Sequence, residues 1–191
     1  MPAELIEAAP KYQGWSTLLV ARIRLPDGRV VVREIEHHGR AACVLAFDPH
    51  RKTALFVRQV RAPTIYAAQP SHLLEAVAGQ IEDGEAPEAC ARREAMEEAG
   101  LRLSTIEHVT TAWTMPGIST ERMDLFLGEY SQADRFGPGG GTDDEGIEVV
   151  ELPLTEIAAM SDAGTLTDMK TLLLVQTLRL RRPDLFALTP V

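Results

Sequence analysis

The stretch GQIEDGEAPEACARREAMEEAGL, residues 79–101, decides the fold prediction for this chain. Its second half is rich in residues of high helix propensity. Pro87 stands where a first helical turn tolerates proline, and Gly100 stands where helices commonly end. We therefore predict a helix of about 13 residues that begins near Pro87, about 20 Å long at the usual rise per residue.

Negative charge is concentrated at the end of this predicted helix. Glu94, Glu97 and Glu98 fall in its last turn, where the helix dipole already presents negative charge. Glu94 and Glu98 share a face and repel each other by roughly a few tenths of a kcal/mol, while Arg93 can pair with Glu97. Clustered carboxylate oxygens are the ligands that Mg²⁺ prefers. A solvated acidic face is the alternative interpretation of a glutamate-rich helix taken alone.

The segments around this helix predict a mixed α/β fold. Short apolar runs bounded by turn residues are typical of buried strands. The predicted strands are Thr17–Leu25, Val30–Ile35, Ala42–Phe47, Ala54–Val60, His108–Trp113, Met123–Tyr130 and Ile147–Leu152. Two further helices are predicted, one from near Thr155 to Gly164 and one from near Asp168 to before Pro183.

Composition limits the classes of function. The 191 residues suit one domain with a small additional arm, and 28 acidic against 19 basic residues give a formal charge of −9. Such a charge disfavours nucleic-acid binding, and no apolar run approaches the roughly 20 residues of a membrane span. Cys43 and Cys90 lie in apolar patterns, which favours buried thiols. We therefore expect a soluble, cytoplasmic protein.

The spacing of the quoted stretch resembles a known signature. Five residues separate Gly79 from Glu85, and seven residues separate Glu85 from Arg93-Glu94. Glu97-Glu98 and Gly100-Leu101 follow. This order resembles the Nudix box, the signature of hydrolases that cleave nucleoside diphosphates linked to another moiety. One position departs from the box, because Ala95 stands where a bulky aliphatic residue is usual.

The resemblance implies a fold and a domain division. Nudix proteins have a mixed β-sheet between helices, so the expected class is α/β (α+β). Residues 1–39 would form an N-terminal arm of antiparallel strands that mediates a homodimer, and residues 40–191 would form the Nudix hydrolase domain.

The resemblance also implies a metal site. Glu94 and Glu98, with the carbonyl of Ala78, would bind Mg²⁺ (or Mn²⁺), and Glu97 would assist. Glu85 and Arg93 would form a supporting ion pair. The bound metal would neutralise a diphosphate and lower the pKa of a water molecule.

Two further segments resemble a narrower group. Pro116-Gly117, followed by Glu121, resembles the ADP-ribose pyrophosphatase branch, and the stretch 139–149 together with 168–171 resembles the GDP-mannose hydrolases of that branch. The implied catalytic residues are Glu97, Glu98, Glu121 and Glu145. The implied substrate-binding residues are Arg61, Ala78, Gly79, Glu121, Asp144 and Lys170, with Trp15, Arg33 and Glu34 lent by a dimer partner.

The assignment of the catalytic base remains open between Glu121 and Glu145, with Glu145 favoured as a ligand of metal or water. The expected function is Mg²⁺-dependent hydrolysis of GDP-mannose or a similar compound to a nucleoside monophosphate and a sugar 1-phosphate. The alternative within the class is hydrolysis of ADP-ribose to AMP and ribose 5-phosphate. A non-catalytic sensor of nucleotide sugars is a remote alternative, since such a protein gains nothing from keeping all three glutamates of the helix.

Overall fold

The computed structural model describes residues 1–67, 71–141 and 146–187. The strands of this part of the chain are β1 Glu4–Gln13, β2 Thr17–Arg24, β3 Val30–His37, β4 Arg40–Asp48, β5 Thr53–Val60, β6 His72–Glu75, β7 Val77–Gln80, β8 Thr105–Trp113, β9 Arg122–Glu129 and β10 Glu148–Pro153. The α-helices are α1 Ala62–Tyr66, α2 Pro87–Ala99, α3 Leu154–Asp162 and α4 Met169–Arg181. No helix within the described ranges has the length and apolar character that crossing a membrane requires.

The chain divides into two compact units. The first unit comprises Met1–Ala41 and Thr111–Met123. The second unit comprises Ala42–Thr110 and the described residues from Asp124 onward.

The first unit contains a three-stranded antiparallel sheet in the order β1-β2-β3. β2 and β3 agree with the sequence prediction, whereas β1 was not predicted. Its sequence has no regular alternation and contains Pro10, which cannot donate to a ladder. The strand forms because it pairs with β2. The register of this pairing shifts twice, once between Leu5 and Glu7 and once between Pro10 and Tyr12. Pairing across the chain therefore overrides a weak local preference.

The second unit is built on a seven-stranded sheet. Its strand order is β10-β5-β4-β9-β8, with β6 paired to β5 and β7 paired to β4. The mixed α/β architecture is confirmed, and the predicted strands agree with β4, β5, β8, β9 and β10 within a few residues. The short elements α1, β6 and β7 were not predicted, because four or five residues are too few to establish a periodic pattern.

Helix α2 packs against this sheet through small side chains. Cys90, Ala91, Ala95 and Ala99 are fully buried in one cluster with residues of β4, β5, β7 and β9. Ala95, the position that departs from the box, therefore lies in the core. The alternate residues Cys43, Leu45 and Phe47 of β4 point to the opposite face and are also buried, so the sheet is covered on both faces. The buried residues of the two C-terminal helices are Leu154, Ile157, Ala158, Thr171, Leu174, Val175 and Leu178.

Both cysteines are free and buried, as the sequence predicts. Cys90 lies beneath β7, with its sulfur 3.3 Å from the carbonyl oxygen of Gln80. Burial raises the pKa of the Cys90 thiol to about 12, because a thiolate would lose its hydration. The thiol therefore serves as a packing group of α2.

The termini of α2 confirm the sequence prediction. The helix begins at Pro87 and ends at Ala99, a length of 13 residues. Gly100 has a left-handed φ of 60°, and the N–H of Leu101 donates to the carbonyl of Ala95. This is the usual glycine-dependent end of a helix.

Gly100→Ala should lower the free energy of unfolding by about 1–2 kcal/mol or more, because a non-glycine residue is strained in the left-handed region. The added Cβ would also overlap the carbonyl group of Gly137. Urea unfolding followed by circular dichroism measures the change. Gly137→Ala is the matched control, since its Cβ would meet nothing within 4 Å. Equal unfolding midpoints for the two variants would contradict this account.

Candidate metal and phosphate site

The guanidinium of Arg93 joins the charged groups at the end of α2. Its Nε and Nη2 each donate to one oxygen of Glu85 at 3.0 Å, and Nη2 also donates to the carbonyl of Gln80. Its Nη1 donates to Glu94 at 2.5 Å and to Glu97 at 3.2 Å. One cation thus contacts three carboxylates, which relieves the repulsion expected among them.

Glu85 connects the loop before α2 to this cation. Its Oε2 also accepts from the backbone N–H of Glu82, which closes the turn at 82–85. Hydrogen bonds from Arg93 and from that N–H lower the pKa of Glu85 to about 2. The loop and the helix are therefore joined by a carboxylate that stays ionised, in the arrangement expected for a supporting ion pair.

Glu94 and Glu98 both reach the backbone of β7. Glu98 is only 5% exposed and accepts from the N–H of Ala78 at 3.3 Å. The carboxylate of Glu94 lies over Gly79, where a Cβ would overlap it. Glycine is therefore required at position 79 for close approach of the carboxylate.

These groups fit a hard divalent cation by their chemistry, since two carboxylates and the Ala78 carbonyl are all oxygen donors. Among the residues in 1–67, 71–141 and 146–187, no three side chains of His, Cys, Asp or Glu lie close enough to hold a metal ion. Asp144 and Glu145, the remaining expected acidic residues, lie outside the described residues.

A glycine-rich segment covers the C-terminal end of α2. The N–H of Gly140 donates to the carbonyl of Glu98 at 2.8 Å, and the N–H of Gly141 donates to the carbonyl of Glu97 at 3.1 Å. Gly139 lies so close that a Cβ would overlap the Glu98 carbonyl. The last carbonyls of a helix lack partners within it, so this segment satisfies groups that would otherwise need water. It also fixes the turn that carries Glu97 and Glu98.

Two expected phosphate-binding cations meet at one buried carboxylate in the second unit. Arg61, just before α1, donates through Nε and Nη2 to the two oxygens of Glu75 at 2.7 and 2.8 Å. Lys170 in the first turn of α4 also pairs with Glu75, and it donates to Asp168 at 3.0 Å. Glu75 is 2% exposed and ends β6.

Asp168 ties the start of α4 to the strands. Its carboxylate accepts from the N–H of Thr171 at 3.0 Å, which caps the helix. The hydroxyl of Thr171 donates to Asp168 and accepts from the N–H of Ala76 at 2.6 Å. Lys170 is therefore held by a helix terminus that is itself bonded to the residue after Glu75.

In the first unit, Glu121 contacts a histidine. The Nε2 of His38 lies 3.1 Å from a carboxylate oxygen of Glu121, and its Nδ1 lies 2.7 Å from a carboxylate oxygen of Glu36. An ionised carboxylate only accepts hydrogen bonds, so satisfying both contacts requires a proton on each ring nitrogen. The hydroxyl of Ser119 donates to Glu36 and accepts from the N–H of Glu121. Glu121 is thus held by the His38 imidazole, in a geometry that favours the protonated ring.

The pKa values agree with this geometry. Burial alone favours neutral His38, but hydrogen bonds from the ring to Glu121 and Glu36 outweigh it and raise the pKa of the imidazole above its usual value. Burial also favours the protonated acid at Glu36. Hydrogen bonds from Ser119 and His38 outweigh it and hold the pKa of that carboxyl below its usual value.

The residues expected to reach a partner subunit also lie in the first unit. Trp15 is 77% exposed and stacks on His38, with ring centroids 4.7 Å apart. Arg33 and Glu34 line an open groove of about 390 Å³. The other residues lining this groove are Val20, Val32, Gly117 and Ile118.

Sequence reasoning missed two residues of this arrangement, Glu75 and His38. Glu75 is the only charged residue in an apolar run. Charged residues are rarely buried unless they are paired, so this position could have indicated a buried carboxylate that pairs with cations. His38 gave no signal, because its two carboxylates come from the adjoining strand and from a turn about eighty residues away.

Known proteins resemble this chain over most of its length. Residues 37–174 match the model of the NUDIX domain family. The GDP-mannose pyrophosphatase of Cronobacter sakazakii is 42% identical over 158 residues, which cover 81% of this chain and 82% of that protein. The GDP-mannose pyrophosphatase of Pectobacterium atrosepticum is 37% identical over 180 residues, which cover 92% and 93%. A crystal structure of an ADP compounds hydrolase superposes with a TM-score of 0.78 and covers 96% of both chains at 15% identity, which shows a shared fold.

His38 should make stability depend on pH. A histidine whose pKa is raised on folding contributes stability that is fully present below the unfolded pKa of about 6.5 and is lost as the pH rises through the folded value. The free energy of unfolding, measured by urea titration from pH 5.5 to 8.5, should therefore fall as the pH rises. His38→Gln should flatten this dependence, whereas His50→Gln, at an exposed histidine, should preserve it. Parallel curves for the wild type and His38→Gln would contradict the assignment.

Proposed function

Because this chain belongs to the NUDIX domain family, we propose that it is a hydrolase that cleaves the diphosphate bond of a nucleoside diphosphate sugar of the GDP-mannose type. The products would be a nucleoside monophosphate and a sugar 1-phosphate. The observation that carries the proposal is the 42% identity, over 81% of the chain, to a protein named GDP-mannose pyrophosphatase. Relatives of the same name at 36–39% identity support it.

Mg²⁺, with Mn²⁺ as a substitute, is the cofactor of this proposal. Glu94, Glu98, the Ala78 carbonyl and Glu145 would hold it, and the oxygen donors on α2 and β7 support that assignment. When bound, such an ion neutralises phosphate charge and lowers the pKa of a coordinated water molecule. Glu97, which is exposed beside Glu98, would assist.

The chain's own cations would bind and orient the diphosphate. A planar guanidinium such as Arg61 matches phosphate oxygens with two parallel hydrogen bonds, and the ammonium of Lys170 adds a point charge. Both belong to the second unit, which also carries α2. Gly79 and Asp144 would contact the substrate from the backbone and the loop. These groups orient the bond to be cleaved and restrict the geometry of attack.

Two glutamates are candidates for the group that accepts the proton of the attacking water. Glu145 follows the glycine-rich segment, and Glu121 is held by His38. We propose that one positions the water and that the other completes the acidic site. Glu121→Gln and Glu145→Gln, compared in kcat at saturating Mg²⁺, separate the two roles.

We also propose that the protein is a cytoplasmic homodimer formed through the first unit. Its sheet exposes apolar side chains, among them Val30 and Val32 of β3, which favours burial against a second copy. In such a dimer Trp15, Arg33 and Glu34 would serve the partner's site, where the exposed indole could stack on a base. The free buried cysteines support a reducing compartment.

The activity is tested by phosphate-coupled turnover of GDP-mannose and ADP-ribose, with and without millimolar Mg²⁺. We expect Mg²⁺-dependent hydrolysis with a higher kcat/KM for GDP-mannose. Glu98→Gln should reduce kcat by about 100-fold or more, because removing a metal ligand forfeits several kcal/mol of transition-state stabilisation.

Glu88→Gln is the matched control, since Glu88 lies on the same helix and pairs only with Arg92 in the described contacts. It should retain the wild-type kcat. A higher kcat/KM for ADP-ribose would assign the alternative substrate. Binding of either nucleotide without turnover would favour a sensor and overturn the enzyme assignment.

The dimer is tested by replacing an exposed valine of its proposed interface. Val32 is 58% exposed, so Val32→Asp should leave the fold intact and place a charge where a second copy would bury the side chain. Light scattering after size-exclusion chromatography should give a dimer for the wild type and a monomer for the variant. Leu180→Asp, at an 82% exposed leucine of the second unit, should remain a dimer. A monomeric wild type at micromolar concentration would refute the interface.

A further inference from the structure

The second unit buries one carboxylate to which neither the sequence pattern nor the proposed chemistry gives a role. Glu75 pairs in register with Val57 of the neighbouring strand, and only 2% of the residue is exposed. An isolated ionised carboxylate is strongly disfavoured at such a depth unless it is paired. Both partners of Glu75 are the cations assigned above to phosphate binding.

The pairing geometry sets the orientation of Arg61. Two of its nitrogens engage the two oxygens of Glu75, which is the fork-to-fork arrangement that fixes the guanidinium plane. The Arg61 side chain is 39% exposed, whereas that of Glu75 is 2% exposed. The carboxylate therefore lies on the buried side of the pair and leaves the opposite edge of the guanidinium toward solvent.

Lys170 is held from two sides. Its ammonium contacts Glu75 and donates to Asp168 at 3.0 Å, and its side chain is 14% exposed. Burial favours the neutral amine, but Asp168 and Glu75 outweigh it and keep the pKa of Lys170 above its usual value. Both cations are thus charged and held by carboxylates of the chain itself.

Donor capacity remains on each cation. The hydrogen bonds described use two nitrogens of Arg61 and two donors of Lys170, while a guanidinium carries five N–H donors and an ammonium three. Without Glu75 the two cations would repel each other at short range in a poorly hydrated site. They would then separate or adopt several rotamers, because long side chains have many to choose from.

We propose that Glu75 is a positioning residue that holds Arg61 and Lys170 as one preorganised diphosphate-binding pair. The inference rests on the proposed function for the identity of the anion. Its structural basis is a cluster of the chain's own side chains, so anion binding tests it separately from turnover. The backbone joins the pair to the carboxylate site, because Ala76 is bonded to the α4 cap and Ala78 to Glu98.

The test compares Glu75→Gln with the wild type in two measurements. In steady-state hydrolysis of GDP-mannose, KM should rise about 10-fold or more while kcat stays within about threefold, because ground-state binding of the diphosphate loses a preorganised pair. In calorimetric titration with inorganic pyrophosphate, Kd should rise by a similar factor. Asp162→Asn, which breaks an exposed two-bond pair with Arg179, is the matched control and should change neither quantity.

Two further variants keep the test decisive. Glu75→Asp retains the charge on a shorter side chain, so its KM and Kd should lie between those of the wild type and those of Glu75→Gln. If Glu75→Gln does not fold, Glu75→Asp takes its place in both measurements. In an Arg61→Ala background, Glu75→Gln should have a much smaller effect, because the carboxylate acts through the guanidinium.

The outcomes separate this inference from the proposed function. A wild type that hydrolyses GDP-mannose, with KM and pyrophosphate Kd unchanged in Glu75→Gln, overturns the inference and leaves the function standing. A wild type without turnover that binds pyrophosphate, and loses about 10-fold in Kd on Glu75→Gln, overturns the function and supports the inference. No pyrophosphate binding by the folded wild type overturns the inference.

Discussion

The compensation of negative charge at the C-terminal end of α2 is the constraint on which the rest of the structure depends. Glutamates crowd the turn where the helix dipole is already negative, so the turn is stable only with donors directed at it. Arg93 supplies side-chain donors to Glu85, Glu94 and Glu97, and backbone N–H groups of the glycine-rich segment supply donors to the last carbonyls. The loop before the helix and the segment 139–141 are thereby fixed to the same turn.

Pairing of opposite charges also organises the other charged groups. In the second unit two cations are held by Glu75, and in the first unit the imidazole of His38 is held between Glu36 and Glu121. Each cluster is at least partly buried, so its opposite charges interact more strongly than they would in bulk water. A residue suited to act on a charged ligand is therefore oriented by an opposite charge that belongs to the protein.

Local patterns determined what the sequence could predict. The position and length of helix α2 were predicted closely because proline, glycine and helix formers all act within a few positions. Five strands of the second unit, β4, β5, β8, β9 and β10, were found from their apolar runs. Ala95 is a core residue, which its small apolar side chain allows. β1 was missed because its stability comes from pairing with β2. The contacts of Glu75 with Lys170 and of His38 with Glu121 were missed because these residues are more than eighty positions apart in the chain. The sequence predicted Arg61 as a substrate contact, but it did not predict that Glu75 pairs with Arg61.

The glycine-rich segment has a consequence for attempts to redesign the protein. Gly139–Gly141 contact the helix through main-chain atoms alone, and side chains there are excluded by space or by conformation. A library intended to alter sugar preference should therefore keep these three positions constant in identity and number. Such a library should place its diversity in other segments, because the main-chain hydrogen bonds that fix the end of α2 come from this glycine-rich segment.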